Sequence, residues 1–226
     1  MSSSVTSSRA AIIGYVAPFA AFVGLLELEH LFSIPPAIFF PLRFAIVLAL
    51  LLTVARPYIN LRPSYPWSSV IIGIAVFFIW VGPDVLFHYR HHWLFENSLL
   101  GSATSTMAPD LKATPWFLVI RSISSFTLVP ILEELFWRGW MMRYLINVEF
   151  LKVPLGQYAR FSFWVVAVLF ASEHGAYWEV GLAAGIIYNW WLVRCRNLAD
   201  CILAHAVTNA VLAVYVVKAD QWQYWL

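Results

Sequence analysis

Residues 116–145 read WFLVIRSISSFTLVPILEELFWRGWMMRYL. Thirty largely apolar residues exceed the roughly 20 that a helix needs to cross a bilayer. The run nevertheless carries Arg121, Glu133, Glu134, Arg138 and Arg143. Each such charge costs about 2.5–3.5 kcal/mol to insert, so these side chains must face partners, a cavity or a substrate. Pro130 lies inside the run and predicts a kink or a continuation past the membrane surface.

The rest of the chain agrees with that reading. Its 226 residues are 62% hydrophobic and 12% charged, with a mean hydropathy of +0.75. A soluble globular domain carries about 25% charged residues, so a soluble enzyme is excluded. A net charge of +2 is too small and too dispersed for a nucleic-acid footprint. Cys195 and Cys201, six residues apart, form neither a disulfide framework nor a zinc spacing.

Working outward, seven apolar runs emerge at Ala10–Leu26, Ile38–Ala55, Trp67–Leu86, Trp116–Leu145, Phe161–Tyr177, Val180–Val193 and Leu198–Val217. The expected fold is all-α, a polytopic transmembrane helical bundle of about seven spans. The chain reads as one membrane-embedded domain over residues 1–226, with 1–9 a flexible Ser-rich tail and 116–217 the core that carries the chemistry. The first run lacks a small-residue cleavage site and is expected to persist. Gly82–Pro115 is the longest connection, with room for an eighth short span or an external cap. Lys and Arg are uneven between alternate connections: eight fall in one set and three in the other. Cytoplasmic loops hold the excess, which predicts an N-terminus inside.

Polar groups within the spans concentrate in the C-terminal half, in spans four, five and seven. Glu134 and Arg138, four apart, share a helix face and can neutralise each other. Glu133 points about 100° away and has no such neighbour. Span five ends in Ser172-Glu173-His174, and span seven holds His205 and Asn209 four apart on one face. Counted from the cytoplasmic flanks at about 1.5 Å per residue, Glu133, His174 and His205 all lie roughly 13–21 Å deep. A carboxylate with an imidazole can activate water, while donors on another helix stabilise an oxyanion. The active site is therefore expected between spans four, five and seven.

Glu-Glu-x-x-x-Arg at Glu133–Arg138, Phe-x-x-x-His at Phe170–His174 and His-x-x-x-Asn at His205–Asn209, in that order, resemble the three motifs of the CPBP intramembrane proteases. That is the family of the type II CAAX prenyl endopeptidase, also called the Abi family. The resemblance covers spans four to seven, and the chain is also similar to small bacterial CAAX-protease-related proteins associated with protein sorting. It implies endopeptidase chemistry near the C-terminus of a membrane-associated or lipidated protein substrate. Glu133 would activate water with His174, His205 and Asn209 would stabilise the oxyanion, and Glu134 and Arg138 would brace the helix.

Each residue also has a plainer reading. Glu133 can pair with Arg121 or Arg43, the two imidazoles can bond backbone carbonyls, and Asn209 can serve as interhelical glue. Glu173 faces the external connection or orients an imidazole. Zinc held by Glu133, His174 and His205 is the mechanistic rival to a site without cofactor. The absence of a His-Glu-x-x-His segment and the Asn beside His205 favour the metal-free version. His88-Tyr89-Arg90-His91-His92 invites a metal reading but fits an exposed loop better. Trp190, Trp191, Trp222 and Trp225 are expected as interfacial anchors. A transporter would distribute polar groups over paired halves, which this chain does not. A non-catalytic binding or immunity protein would keep the constellation without turnover. Short loops point to a prokaryotic cytoplasmic membrane, with lipids and a tethered protein substrate as partners.

Overall fold

The computed structural model describes residues 2–32, 34–98, 100–105 and 107–225, with side chains from Arg9 onward except residue 30. Its described residues form a helical bundle without β-strands. The principal helices are α1 (Ser2–Phe32), α2 (Pro36–Leu52), α3 (Pro66–Phe87), α4 (Pro115–Tyr144), α5 (Arg160–Ser172), α6 (Trp178–Cys195) and α7 (Leu198–Ala219). Each expected apolar run falls on one of them. Arg9–Glu29, α3, α4 and α7 are long and apolar enough to cross a membrane, whereas α2 and α5 are shorter apolar helices.

Local chemistry explains the boundaries. Pro36, Pro66 and Pro115 open α2, α3 and α4, where a missing N–H costs nothing and φ is already helical. α6 ends on Arg196 and α7 on Asp220, both in the left-handed conformation that closes helices. Pro130 does not end α4. The helix widens into a π-helical turn at Ser124–Leu128, runs as α over Val129–Glu134, and widens again over Leu135–Met141. Such widening absorbs a lost backbone hydrogen bond and re-aims side chains.

The bundle has two distinct ends. At one, the Tyr15 ring packs on Tyr58 and Phe150 at 5.1 and 5.4 Å, and Asn197 Nδ2 donates to the Arg62 carbonyl at 3.0 Å. Asp200 at the start of α7 accepts from the Ser64 and Tyr65 amides and the Ser69 hydroxyl, thereby fixing the entry to α3. At the other end Arg90, 2% exposed, bonds Glu179 at 2.8 Å and the Ala176 carbonyl at 2.7 Å. There Tyr224 also donates to Asp84 at 2.8 Å. The connections richer in Lys and Arg therefore gather at a single end.

Several expectations change. Ser2–Ser8, expected as tail, continue α1, because extending an existing helix is far easier than nucleating one. Residues 88–98, 100–105 and 107–114 contain turns, an isolated Asn97–Gly101 bridge and a helical turn at Pro109–Lys112, so the described part holds no eighth spanning helix. This segment packs on the α5–α6 turn, where Trp178 Nε1 donates to the Leu94 carbonyl at 3.1 Å. α5 stops at Ser172, short of the expected Tyr177; a tight turn follows, with Gly175 at φ +49°. Trp191 and Trp225 are buried rather than anchoring at an interface: Trp191 donates to Ser69, and Trp225 packs on Trp222 and Arg121. Trp190 stays exposed.

Candidate active site

The second half of α4 faces α7 across a buried polar seam. Glu134 and Arg138 are fully buried and stand 3.2 Å apart, one turn from each other. Arg138 is held on every side: Nε donates to Asn189 Oδ1 at 2.9 Å, Nη2 donates to the Gly185 carbonyl at 3.3 Å, and the guanidinium lies 4.4 Å from the Phe170 ring centre. Asn189 in turn donates to the Phe163 carbonyl at 2.8 Å. Such a network satisfies a charge that would otherwise be very costly to bury.

His205 joins that network. Its Nδ1 stands 3.0 Å from the same Glu134 oxygen that Arg138 engages, and its ring stacks on Tyr188 at 5.1 Å. With Nδ1–H donated to Glu134, Nε2 is directed at Glu133 Oε2, 4.0 Å away. That separation exceeds a direct hydrogen bond. Glu133 Oε2 is buried and has no hydrogen-bond partner among the described residues. Glu134 Oε2 is unpartnered too, so the two adjacent carboxylates differ in that Glu134 is committed through Oε1 and Glu133 through neither oxygen.

His174 lies just beyond the end of α5, at the entry to the Gly175–Tyr177 turn, instead of on a helix face. Its Nδ1 bonds the Phe170 carbonyl at 2.8 Å, which leaves Nε2 unengaged. The two imidazoles flank the Phe170 ring, with His174 at 4.8 Å and His205 at 6.1 Å between centroids. Trp80 closes the far side of His174 at 5.1 Å. Glu173 points outward, where it accepts from Trp137 Nε1 at 3.0 Å and bonds no imidazole. Asn209 donates to the Ser125 carbonyl at 2.8 Å, tying α7 to the first π-helical turn of α4. An amide NH2 has a second N–H beyond that bond. Glu133 pairs with neither Arg43, which bonds Glu29 at 2.8 Å, nor Arg121, which lies over the Trp225 ring.

Among the described residues no three His, Cys, Asp or Glu side chains are grouped so as to hold one metal ion. In the His88–His92 stretch, His91 stands 3.0 Å from Glu96 and Arg90 is committed to Glu179.

The sequence reading placed a helix at α6 but missed its part in the site. A Cβ on Gly181 would sit 3.1 Å from the His174 ring, and one on Gly185 would sit 3.2 Å from the Ala167 carbonyl and the Phe170 ring. These two glycines let α6 approach α5 closely enough for Asn189 to reach Arg138. The available signal was Gly181-Leu182-Ala183-Ala184-Gly185, a small-residue spacing that permits close helix contact in membranes.

The seam thus offers an open carboxylate, two imidazoles each fixed at one nitrogen, and an oriented amide. A search of curated proteins finds no match, and no solved structure matches the chain. A family model does: residues 115–211 match the type II CAAX prenyl endopeptidase Rce1-like family, across all of α4 to α6 and the part of α7 that bears His205 and Asn209. In this motif-bearing part the chain is similar to the type II CAAX prenyl endopeptidase Rce1-like family.

Proposed function

We propose that the protein is an intramembrane endopeptidase of the CAAX-protease type, cleaving a peptide bond near the C-terminus of a membrane-associated or lipidated protein. The observation that carries this reading is the difference between neighbouring carboxylates: each keeps a buried, unpartnered Oε2, but Glu134 Oε1 is bonded to Arg138 and His205, while Glu133 makes no side-chain hydrogen bond among the described residues and holds Oε2 4.0 Å from an imidazole.

In the proposed reaction Glu133, assisted by His174, takes a proton from water, and the hydroxide adds to the scissile carbonyl carbon. The oxyanion is met by the second N–H of Asn209 and by Nε2–H of His205 in its imidazolium form, whose Nδ1–H stays on Glu134. The proton held by Glu133 then passes to the leaving amine as the C–N bond breaks. Glu134 and Arg138 hold His205 in the orientation this needs. No cofactor takes part; in the rival version zinc at Glu133, His174 and His205 would polarise the water. The membrane is taken to be a prokaryotic cytoplasmic one because the loops are short and the chain compact, with the N-terminus inside because the basic connections gather at one end of the bundle.

The test uses purified protein and a membrane-tethered peptide, with cleavage followed by mass spectrometry. Glu133→Gln is expected to lower turnover by about 10²–10⁴-fold, the scale of lost acid–base catalysis, with an unchanged melting transition. Chelator is expected to leave wild-type activity intact. Full activity of Glu133→Gln would refute the assignment, loss of activity on metal removal would favour zinc, and an inert wild type would favour a binding protein.

A further inference from the structure

On the side of α4 away from Glu133 lies a cavity of about 470 Å³ between the end of α2, the 56–62 connection and the middle of α4. Its volume falls in the range of small-molecule sites, about 300–1,000 Å³. Leu48 and Leu51 of α2 with Leu128 and Ile131 of α4 form an apolar wall. Arg56 and Arg62, both exposed, line the same cavity. Ile131 and Glu133 belong to one α-helical segment and point about 200° apart. The cavity is therefore separate from the catalytic seam.

Its charged side is fixed in place. The Arg62 amide donates to Asn60 Oδ1 at 3.1 Å and its carbonyl accepts from Asn197 at 3.0 Å, while Tyr58 is packed on Tyr15. The backbone is anchored, yet neither guanidinium has an acidic partner among the described residues. The nearby carboxylate, Asp200, is occupied by the Ser64 and Tyr65 amides and the Ser69 hydroxyl. Two unpaired cations beside an apolar slot, on a chain whose helices suit a membrane, are complementary to a ligand with an anionic head and a hydrocarbon tail.

We propose that this cavity binds one anionic phospholipid, the acyl chain against Leu48, Leu51, Leu128 and Ile131 and the phosphate between Arg56 and Arg62. The lipid is a bound component distinct from the substrate, and the assignment does not depend on the reaction proposed above.

Full-length detergent-solubilised protein is titrated with short-chain phosphatidylglycerol, phosphatidylcholine and inorganic phosphate, with binding read by native mass spectrometry and by melting temperature. One equivalent of phosphatidylglycerol is expected to bind and raise the melting temperature, with phosphatidylcholine markedly weaker and phosphate without effect. The double variant R56Q/R62Q is expected to weaken phosphatidylglycerol about 30-fold, at about 1 kcal/mol per charge. R56K/R62K is expected to restore most of the affinity, and Leu48→Trp to block the slot from its apolar side. Equal affinity for the two lipids, unaltered binding by R56Q/R62Q, binding of free phosphate, or displacement by a prenylated peptide would each overturn the proposal. A misfolded glutamine variant would leave the comparison of the two lipids on wild type, and the Leu48→Trp variant, to decide.

Discussion

At the residue scale, the central fact is that Glu134 serves two partners. Its Oε1 lies 3.2 Å from Arg138 and 3.0 Å from His205, so one carboxylate both neutralises a buried cation and orients an imidazole. Removing a single member of a buried pair strands the other, at a cost of about 3–5 kcal/mol. Arg138→Ala is therefore expected to destabilise the protein by about that much, seen as a lower unfolding midpoint in mild detergent. The double variant Glu134→Leu/Arg138→Met removes both charges, and apolar replacement of a buried pair is often neutral or better. Its stability should approach wild type while its peptidase activity stays low, because His205 has lost the acceptor at Nδ1. Recovery of activity along with stability would make Glu134 merely structural. The sequence made the Glu134–Arg138 pairing legible, since four residues of helix set it. The bond to His205 was not legible, because 71 residues separate the partners and no periodicity links α4 to α7.

At the element scale, α3 positions α7, although α3 carries none of the motif residues. A Cβ on Gly73 would lie 2.4 Å from the Ala204 carbonyl and 2.8 Å from Val207, so the two helices touch backbone to backbone there. One turn onward Thr208 donates to the Gly73 carbonyl at 2.8 Å and receives the Tyr188 hydroxyl at 2.8 Å. The contact brackets His205. Gly73→Ala forces the helices apart, and overpacking of this kind costs about 1–3 kcal/mol. The expected result is a lower melting temperature together with a fall in turnover, although no group of the seam has been altered. Unchanged turnover would show that the site tolerates displacement of α7. Apolar runs revealed every helix but not where α5 stops, because Gly175 ends it through backbone conformation rather than polarity. The role of α6 was hidden for a related reason: glycines act by what they leave out.

At the scale of the whole molecule, α5 is only 13 residues long, about 20 Å, which is less than the roughly 30 Å of a hydrocarbon core. The α5–α6 hairpin therefore cannot carry its turn through the bilayer, and the space above it is taken by the connection after α3. Arg90 fastens that connection through Glu179, the Ala176 carbonyl and the Tyr177 ring, 4.0 Å away. The arrangement ties orientation to site access, because the end closed by this cap carries few basic residues and the opposite end carries many. Orientation can be checked on a Cys195→Ser/Cys201→Ser background with single cysteines at Trp93, in the cap, or Gln157, between α4 and α5, both exposed. In intact cells a membrane-impermeant maleimide is expected to label Trp93→Cys and to reach Gln157→Cys only after permeabilisation. The reverse pattern would put the basic end outside, against the usual distribution of Lys and Arg. It would also move the Arg56–Arg62 rim to the outer leaflet and require the proposed substrate to enter from the opposite side.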